Sequence, residues 1–95
     1  MPALGAYSNV LNTALVVLQQ KGFRVWTNDT EDAWFAERAG WDFIADDPIQ
    51  LLGLVSIYDH RSPTEFREYW WQYQEPWLIE SVSKTRPDYI SVCQR

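Results

Sequence analysis

The stretch WFAERAGWDFIADDP, residues 34–48, decides the fold. Ala33 to Arg38 and Trp41 to Ala45 are short strand-like runs, and only Ala39 and Gly40 separate them. A two-residue connection whose glycine can take a positive φ is that of a tight β-hairpin. Asp47 followed by Pro48 then starts a helix, because a carboxylate caps the first free N–H groups and proline loses nothing at the first helical position.

Upstream of the hairpin, Phe23, Arg24, Val25, Trp26 and Thr27 are β-branched and aromatic with partial alternation, and Asn28 to Asp32 form a polar turn. That predicts a first strand and a loop. Before it, Ser8 and Asn9 offer an N-cap, and Val10, Leu11, Ala14, Leu15 and Leu18 recur at helical spacing until Gly22 stops the helix after Lys21. Downstream, Ile49 to Tyr58 is interrupted only by Gln50, Gly53 and Ser56, three apart on one stripe. Nearly every other face of that helix is therefore expected to be buried. Ser62, Pro63, Thr64 and Glu65 read as a capping box, with Phe66, Tyr69, Trp70, Tyr73 and Trp77 following as the aromatic face of a third helix. Pro76 should end or kink it, Trp77 to Ser83 add a further turn, and Pro87 begins a tail. The reading is an α+β chain, ordered α-β-β-β-α-α: a three-stranded antiparallel meander with helices packed on one face.

The first five of these elements resemble, in order, those of double-stranded-RNA-binding domains, which meet phosphates with lysines at the start of the helix after the third strand. This chain has Asp46, Asp47 and Pro48 at that place. The resemblance extends to topology, and the charge opposes the function.

Length and composition set the class. The chain has 95 residues, 46% of them hydrophobic and 16% aromatic, with a formal net charge of −5. Residues 1–95 are expected to form a single globular domain, and the aromatic content excludes a disordered chain. No run of 18 apolar residues and no basic-then-apolar leader is present, so the expected compartment is the cytoplasm and no membrane contact is expected. One cysteine, Cys93, and one histidine, His60, exclude an internal disulfide and a Cys/His zinc cage.

The charge is concentrated. Residues 29–47 hold Asp29, Glu31, Asp32, Glu37, Asp42, Asp46 and Asp47 against one base, Arg38, a net of −6, while the remainder of the chain carries +1. A partner that is itself polyanionic is repelled by such a surface, so direct nucleic-acid binding is not expected. In a meander the first loop and the exit of the third strand share one end of the sheet. This places Asp29, Glu31 and Asp32 beside Asp46 and Asp47 as an acidic rim suited to steering a basic protein partner. The calcium-loop pattern of alternating oxygen ligands, with glycine at the turn and a distal glutamate, is absent, and no metal or other cofactor is expected.

Six tryptophans, Trp26, Trp34, Trp41, Trp70, Trp71 and Trp77, exceed what one small core can use while pairing every indole N–H. If Phe23, Val25 and Thr27 face the helices, Trp26 faces outward, and Trp34 beside Arg38 is read as joining it in an aromatic and arginine patch of hot-spot composition. The alternative is that the segment after Pro76 folds back over one sheet face.

Catalytic arrangements fare poorly. Ser56, Asp59 and His60 make a Ser-His-Asp group on paper, yet Asp59 and His60 diverge by about 100° on a helix and Ser56 has no nucleophile elbow. Cys93 with His60 would rely on a chain end that frays. A carboxylate pair such as Asp29 or Asp32 opposite Asp46 or Asp47 sits in exposed turns, where neither group keeps its proton near neutral pH. No enzyme is expected.

The run Gly40, Trp41, Phe43, Ala45, Asp47, Pro48, Leu51, Leu52, Gly53, Leu54 resembles stretches of small bacterial proteins. In size, acidity and tryptophan content the chain resembles bacterial toxin-immunity proteins, cytosolic inhibitors that in many cases block a basic nuclease toxin. That resemblance implies a non-catalytic, immunity-type inhibitor, monomeric or homodimeric. Partner binding is then expected at Asp29, Glu31, Asp32, Asp46 and Asp47 with Trp26, Trp34 and Arg38. Two alternatives remain open at this point: a phage-encoded acidic inhibitor of a host nucleic-acid-binding complex, and a small-ligand or carbohydrate-binding domain that stacks its ligand on tryptophan.

Overall fold

A computed structural model describes residues 2–95. Its order is α1 (Leu11–Gln20), β1 (Arg24–Thr27), β2 (Trp34–Arg38), β3 (Trp41–Ala45) and α2 (Pro48–Arg61), with short 3₁₀ turns at Ser8–Val10 and Val92–Gln94. The three strands form one antiparallel sheet in the order β1-β2-β3. Both helices pack on the same face of it, so the expected α+β meander is the fold.

Each boundary has a local cause. Gly22, at φ 91°, ends α1, with Gly22 N–H donating to the Gln19 carbonyl and Phe23 N–H to that of Leu18. This paired closure satisfies carbonyls that the helix end leaves free. The N-cap expected of Ser8 or Asn9 does not form: the 3₁₀ turn runs directly into α1, and no side chain caps either element. Ala39 and Gly40, at φ 52° and 85°, make the hairpin turn, with Arg38 paired to Trp41. Two successive positive φ values are those of the type I′ turn, whose twist matches that of the strands. Asp47 caps α2 by accepting from Gln50 N–H at 2.9 Å, and the Gln50 side chain accepts in return from Asp46 N–H at 3.3 Å.

The core comprises Leu18 of α1, Phe23, Ala36 of β2, and Leu51 and Val55 of α2, with Val25, Trp34, Phe43, Ala45, Leu52 and Tyr58 packed around it. Leu51 and Val55, four apart, are both fully buried. Leu54 and Ile57, however, are 37% and 42% exposed. The expectation that α2 would be buried on nearly every side is therefore wrong.

The reason is that the third helix does not exist. No helix lies between Arg61 and Val92. Ser62 takes a left-handed conformation, φ 47°, where α2 ends, and Tyr69 does the same at φ 59°. A residue with a Cβ pays a local conformational penalty there that only tertiary contacts offset. Trp70 supplies one such contact: its ring meets Trp41 at 5.3 Å and Tyr58 at 6.1 Å, while Arg61 Nε–H donates to its carbonyl at 3.1 Å. The aromatic spacing of 66–77 thus serves one inserted ring instead of a helix face. Within Trp77 to Ser83 a single hydrogen-bonded turn forms, with Ser81 N–H and Val82 N–H both donating to the Leu78 carbonyl, but it does not extend into a helix, and residues 71–90 are exposed throughout. They do not fold back as a cover over the sheet. The radius of gyration, 16.1 Å, exceeds the roughly 12 Å of a compact chain of this length for that reason.

Candidate functional site

Strand register fixes which side chains share a face. Thr27, Trp34 and Ala45 are aligned across the sheet, as are Val25, Ala36 and Phe43, and these two rows face the helices. Alternation places the intervening rows on the opposite face. There Trp26, Phe35 and Ile44 form one row, and Arg24, Glu37 and Asp42 the next. Trp26 and Phe35 stack at 5.3 Å with planes 5° apart, and Trp26 and Ile44 are 47% and 59% exposed. An apolar strip crosses the outer face of all three strands.

Trp26 lies where the sequence places it, but Trp34 and Arg38 do not join it. Trp34 packs against the core on the helix side. Arg38 also faces the helices, its guanidinium 4.4 Å from the centre of the Phe23 ring and 5.6 Å from that of Tyr58. Its Nη1 donates to the Lys21 carbonyl at 2.6 Å, and Asp59, which also binds Lys21 at 2.8 Å, lies 3.7 Å away. Arg38 thereby clamps the C-terminal end of α1 to the sheet. Both residues lie two positions from Ala36 along β2, so strand alternation puts them on its side of the sheet. Phe35 and Ile44 are the partners that sequence reading missed. Their signal was present, because a turn at Ala39 and Gly40 sets Phe35 opposite Ile44.

The acidic rim forms at the end of the sheet adjoining the apolar strip. Thr27, Trp34 and Ala45 are the last paired row, so loop 28–33 and residues 46–47 emerge side by side. The strip of Trp26, Phe35 and Ile44 is one residue back, a step of about 3.4 Å along each strand. Asn28, not anticipated as a site residue, organises the loop. Its Oδ1 accepts from Asp32 N–H at 3.1 Å, its carbonyl accepts from Glu31 N–H at 3.1 Å, and its Nδ2 donates to the Asp32 carboxylate. That last bond holds the Asp32 carboxyl below its ordinary pKa.

Among the described residues no lysine or arginine pairs with Asp29, Glu31, Asp32, Asp46 or Asp47. Asp47 is occupied as a helix cap and Asp32 with Asn28. Among the described residues the carboxylates of Asp29, Glu31 and Asp46 make no hydrogen bond. On the outer face, by contrast, Glu37 accepts from Gly40 N–H at 2.9 Å and from Arg24 Nε at 2.7 Å, and both contacts lower its pKa. Among the described residues no three His, Cys, Asp or Glu side chains are grouped so as to hold a metal ion.

Of the catalytic arrangements, Asp59 is turned toward Lys21 and Arg38, whereas the His60 ring lies 6.3 Å from that of Tyr73. The geometry therefore assembles no Ser-His-Asp relay. No described helix is long and apolar enough to cross a membrane.

No protein-family model, no curated protein and no solved structure matches the chain.

Proposed function

We propose that the chain is a non-catalytic binding module for a basic protein, engaged through the outer sheet face and its acidic end. The observation that carries this reading is the contiguity of an uncovered apolar strip, Trp26, Phe35 and Ile44, with five carboxylates that no lysine or arginine among the described residues neutralises. Interfaces concentrate their energy in a few desolvated aromatic anchors and use surrounding charge for approach and register. Here both parts are mounted on a hydrogen-bonded sheet and on a loop braced by Asn28, so little ordering is needed on binding.

The most concrete form of this function is an immunity-type inhibitor, which would cover the basic substrate-binding surface of a nuclease toxin. Small size, net charge and tryptophan content support it. Trp34 and Arg38 belong to the scaffold of such a module, since they hold the sheet to the helices. Trp26, Phe35 and Ile44 take the anchor role.

The test is capture from host lysate at low and high salt. The natural chain is compared with a variant carrying Asp29→Asn, Asp32→Asn, Asp46→Asn and Asp47→Asn. Asparagine preserves the cap on α2, so the variant removes charge without removing the helix start. The proposal expects a basic protein that binds the natural chain alone and is released by salt, and that binds the natural chain again after purification. Equal capture by both chains, or insensitivity to salt, would refute it.

A further inference from the structure

At the hairpin end of the molecule, remote from the acidic loop, lies an open pocket of about 440 Å³ that includes Trp41, Asp42, Glu65, Phe66 and Trp70 in its wall. Three of these are aromatic. The rings of Trp41 and Trp70 meet nearly at right angles, 78°, with centres 5.3 Å apart, so they form a corner. Phe66 makes the third wall, 6.4 Å from Trp41 and inclined at 44°.

The corner is held from behind. Tyr58 packs on Trp41 at 5.3 Å and on Trp70 at 6.1 Å, and Arg61 binds the Trp70 carbonyl, so both indoles are fixed before any ligand arrives. Phe66 is different, because it stands 77% exposed and meets the corner through Trp41.

The charge at this pocket is negative. Glu65 is paired with Arg67, but the Asp42 carboxylate makes no hydrogen bond or ion pair among the described residues. The nearby bases are also committed elsewhere, Arg67 to Glu65 and Arg61 over the Tyr73 ring at 4.4 Å. Aromatic faces carry negative electrostatic potential and attract a cation lying within about 6 Å of the ring centre. Lysine-like ammonium groups hold water too tightly to enter cheaply, whereas a methylated ammonium presents an apolar surface and a full charge together. We propose that this pocket binds a methylated ammonium cation, with Trp41, Trp70 and Phe66 as walls and Asp42, which lines the pocket from the outer side of the edge strand β3, as counter-charge. The inference stands apart from the acidic-rim interface and neither depends on it nor supports it.

The test is a titration of the full chain with choline and with its neutral isostere 3,3-dimethylbutan-1-ol, followed by amide chemical shifts. The expected result is saturable millimolar binding of choline at Trp41, Phe66 and Trp70, with the isostere at least about tenfold weaker. Phe66→Leu and Asp42→Asn should each weaken choline by about threefold or more, while Phe66→Tyr retains binding. Phe66 is exposed, so its variants keep the fold, and far-UV circular dichroism checks this. Phosphocholine and a trimethyl-lysine amide distinguish the two natural sources of the cation, and tighter binding of either identifies its carrier. Equal affinity for choline and the isostere, absence of saturable binding, or indifference to both Phe66→Leu and Asp42→Asn would overturn the proposal.

Discussion

Trp26 and Phe35 lie face to face across β1 and β2, their ring centres 5.3 Å apart and their planes within 5°, on the side of the sheet that no helix covers. Such a pair is worth about 0.5–1.5 kcal/mol to the folded chain beyond the area it buries. It leaves much of Trp26 in water, 47% exposed, as an anchor presented rigidly to solvent.

Trp26→Ala therefore separates binding from stability. The variant should lose about tenfold or more in affinity for the partner, while its unfolding free energy falls by about 1–3 kcal/mol. Urea unfolding and a binding titration on the same preparation measure the two effects, and a loss confined to stability would remove Trp26 from the interface.

The exposure of one side of α2 leads to a second expectation. Leu51→Ala empties a fully buried site and should cost about 2–5 kcal/mol. Leu54→Ala, three residues on and 37% exposed, should cost no more than about 1 kcal/mol. Comparable costs in urea melts would mean that a further element covers α2 in solution.

The hairpin turn offers a gain. Ala39 takes φ 52°, a left-handed conformation that penalises a Cβ by roughly 1–2 kcal/mol, and the following Gly40 already suits its own φ of 85°. Asparagine tolerates the first position better, so Ala39→Asn should raise stability by about 0.5–1 kcal/mol. A higher thermal midpoint with an unchanged circular dichroism spectrum would show it, and a lower midpoint would contradict the turn geometry.

Acid should act through Asp32 and Glu37. Both carboxyls are held below their ordinary pKa, Asp32 chiefly by the Asn28 side chain and Glu37 chiefly by Gly40 N–H with help from Arg24. The unfolded chain therefore binds these protons more readily than the folded one. Their stabilising effect is complete above the unfolded values, near about pH 4, and is lost as pH falls through the lower folded values. Glu37→Gln should make the acid-side decline in stability shallower while changing its shape little above about pH 5. An unchanged acid limb would show that Glu37 is not held in the folded state.

Much of this architecture is written locally. Gly22, the Ala39-Gly40 pair and Asp47-Pro48 set the ends of α1, the hairpin and the start of α2 through backbone geometry that needs no distant partner. The meander then places both acidic segments at one end. What local pattern does not carry is the difference between a helix and a single inserted ring. The spacing of Phe66, Tyr69, Trp70 and Tyr73 satisfies helical periodicity, yet Tyr69 is left-handed and, of the four, Trp70 alone packs on both Trp41 and Tyr58, with Phe66 meeting Trp41 from the exposed side. Sheet facing was also poorly determined, because Trp26, Phe35 and Ile44 on one face are as bulky as Trp34, Trp41 and Phe43 on the other. The packing of Ala36 against Leu18, Leu51 and Val55 resolves it, assigning Trp34 and Arg38 to the scaffold and Phe35 and Ile44 to the candidate site.

The central claim is that the outer sheet face and its acidic end together form the binding surface. The most direct measurement is an amide chemical-shift map of the ¹⁵N-labelled chain titrated with the purified basic partner at low ionic strength. The account predicts that shifts concentrate at Trp26, Phe35 and Ile44 and in loop 28–33 with residues 46–47, and that added salt reverses them. Shifts confined to α2 or to residues 62–95, with the Trp26 indole signal unmoved, would contradict it.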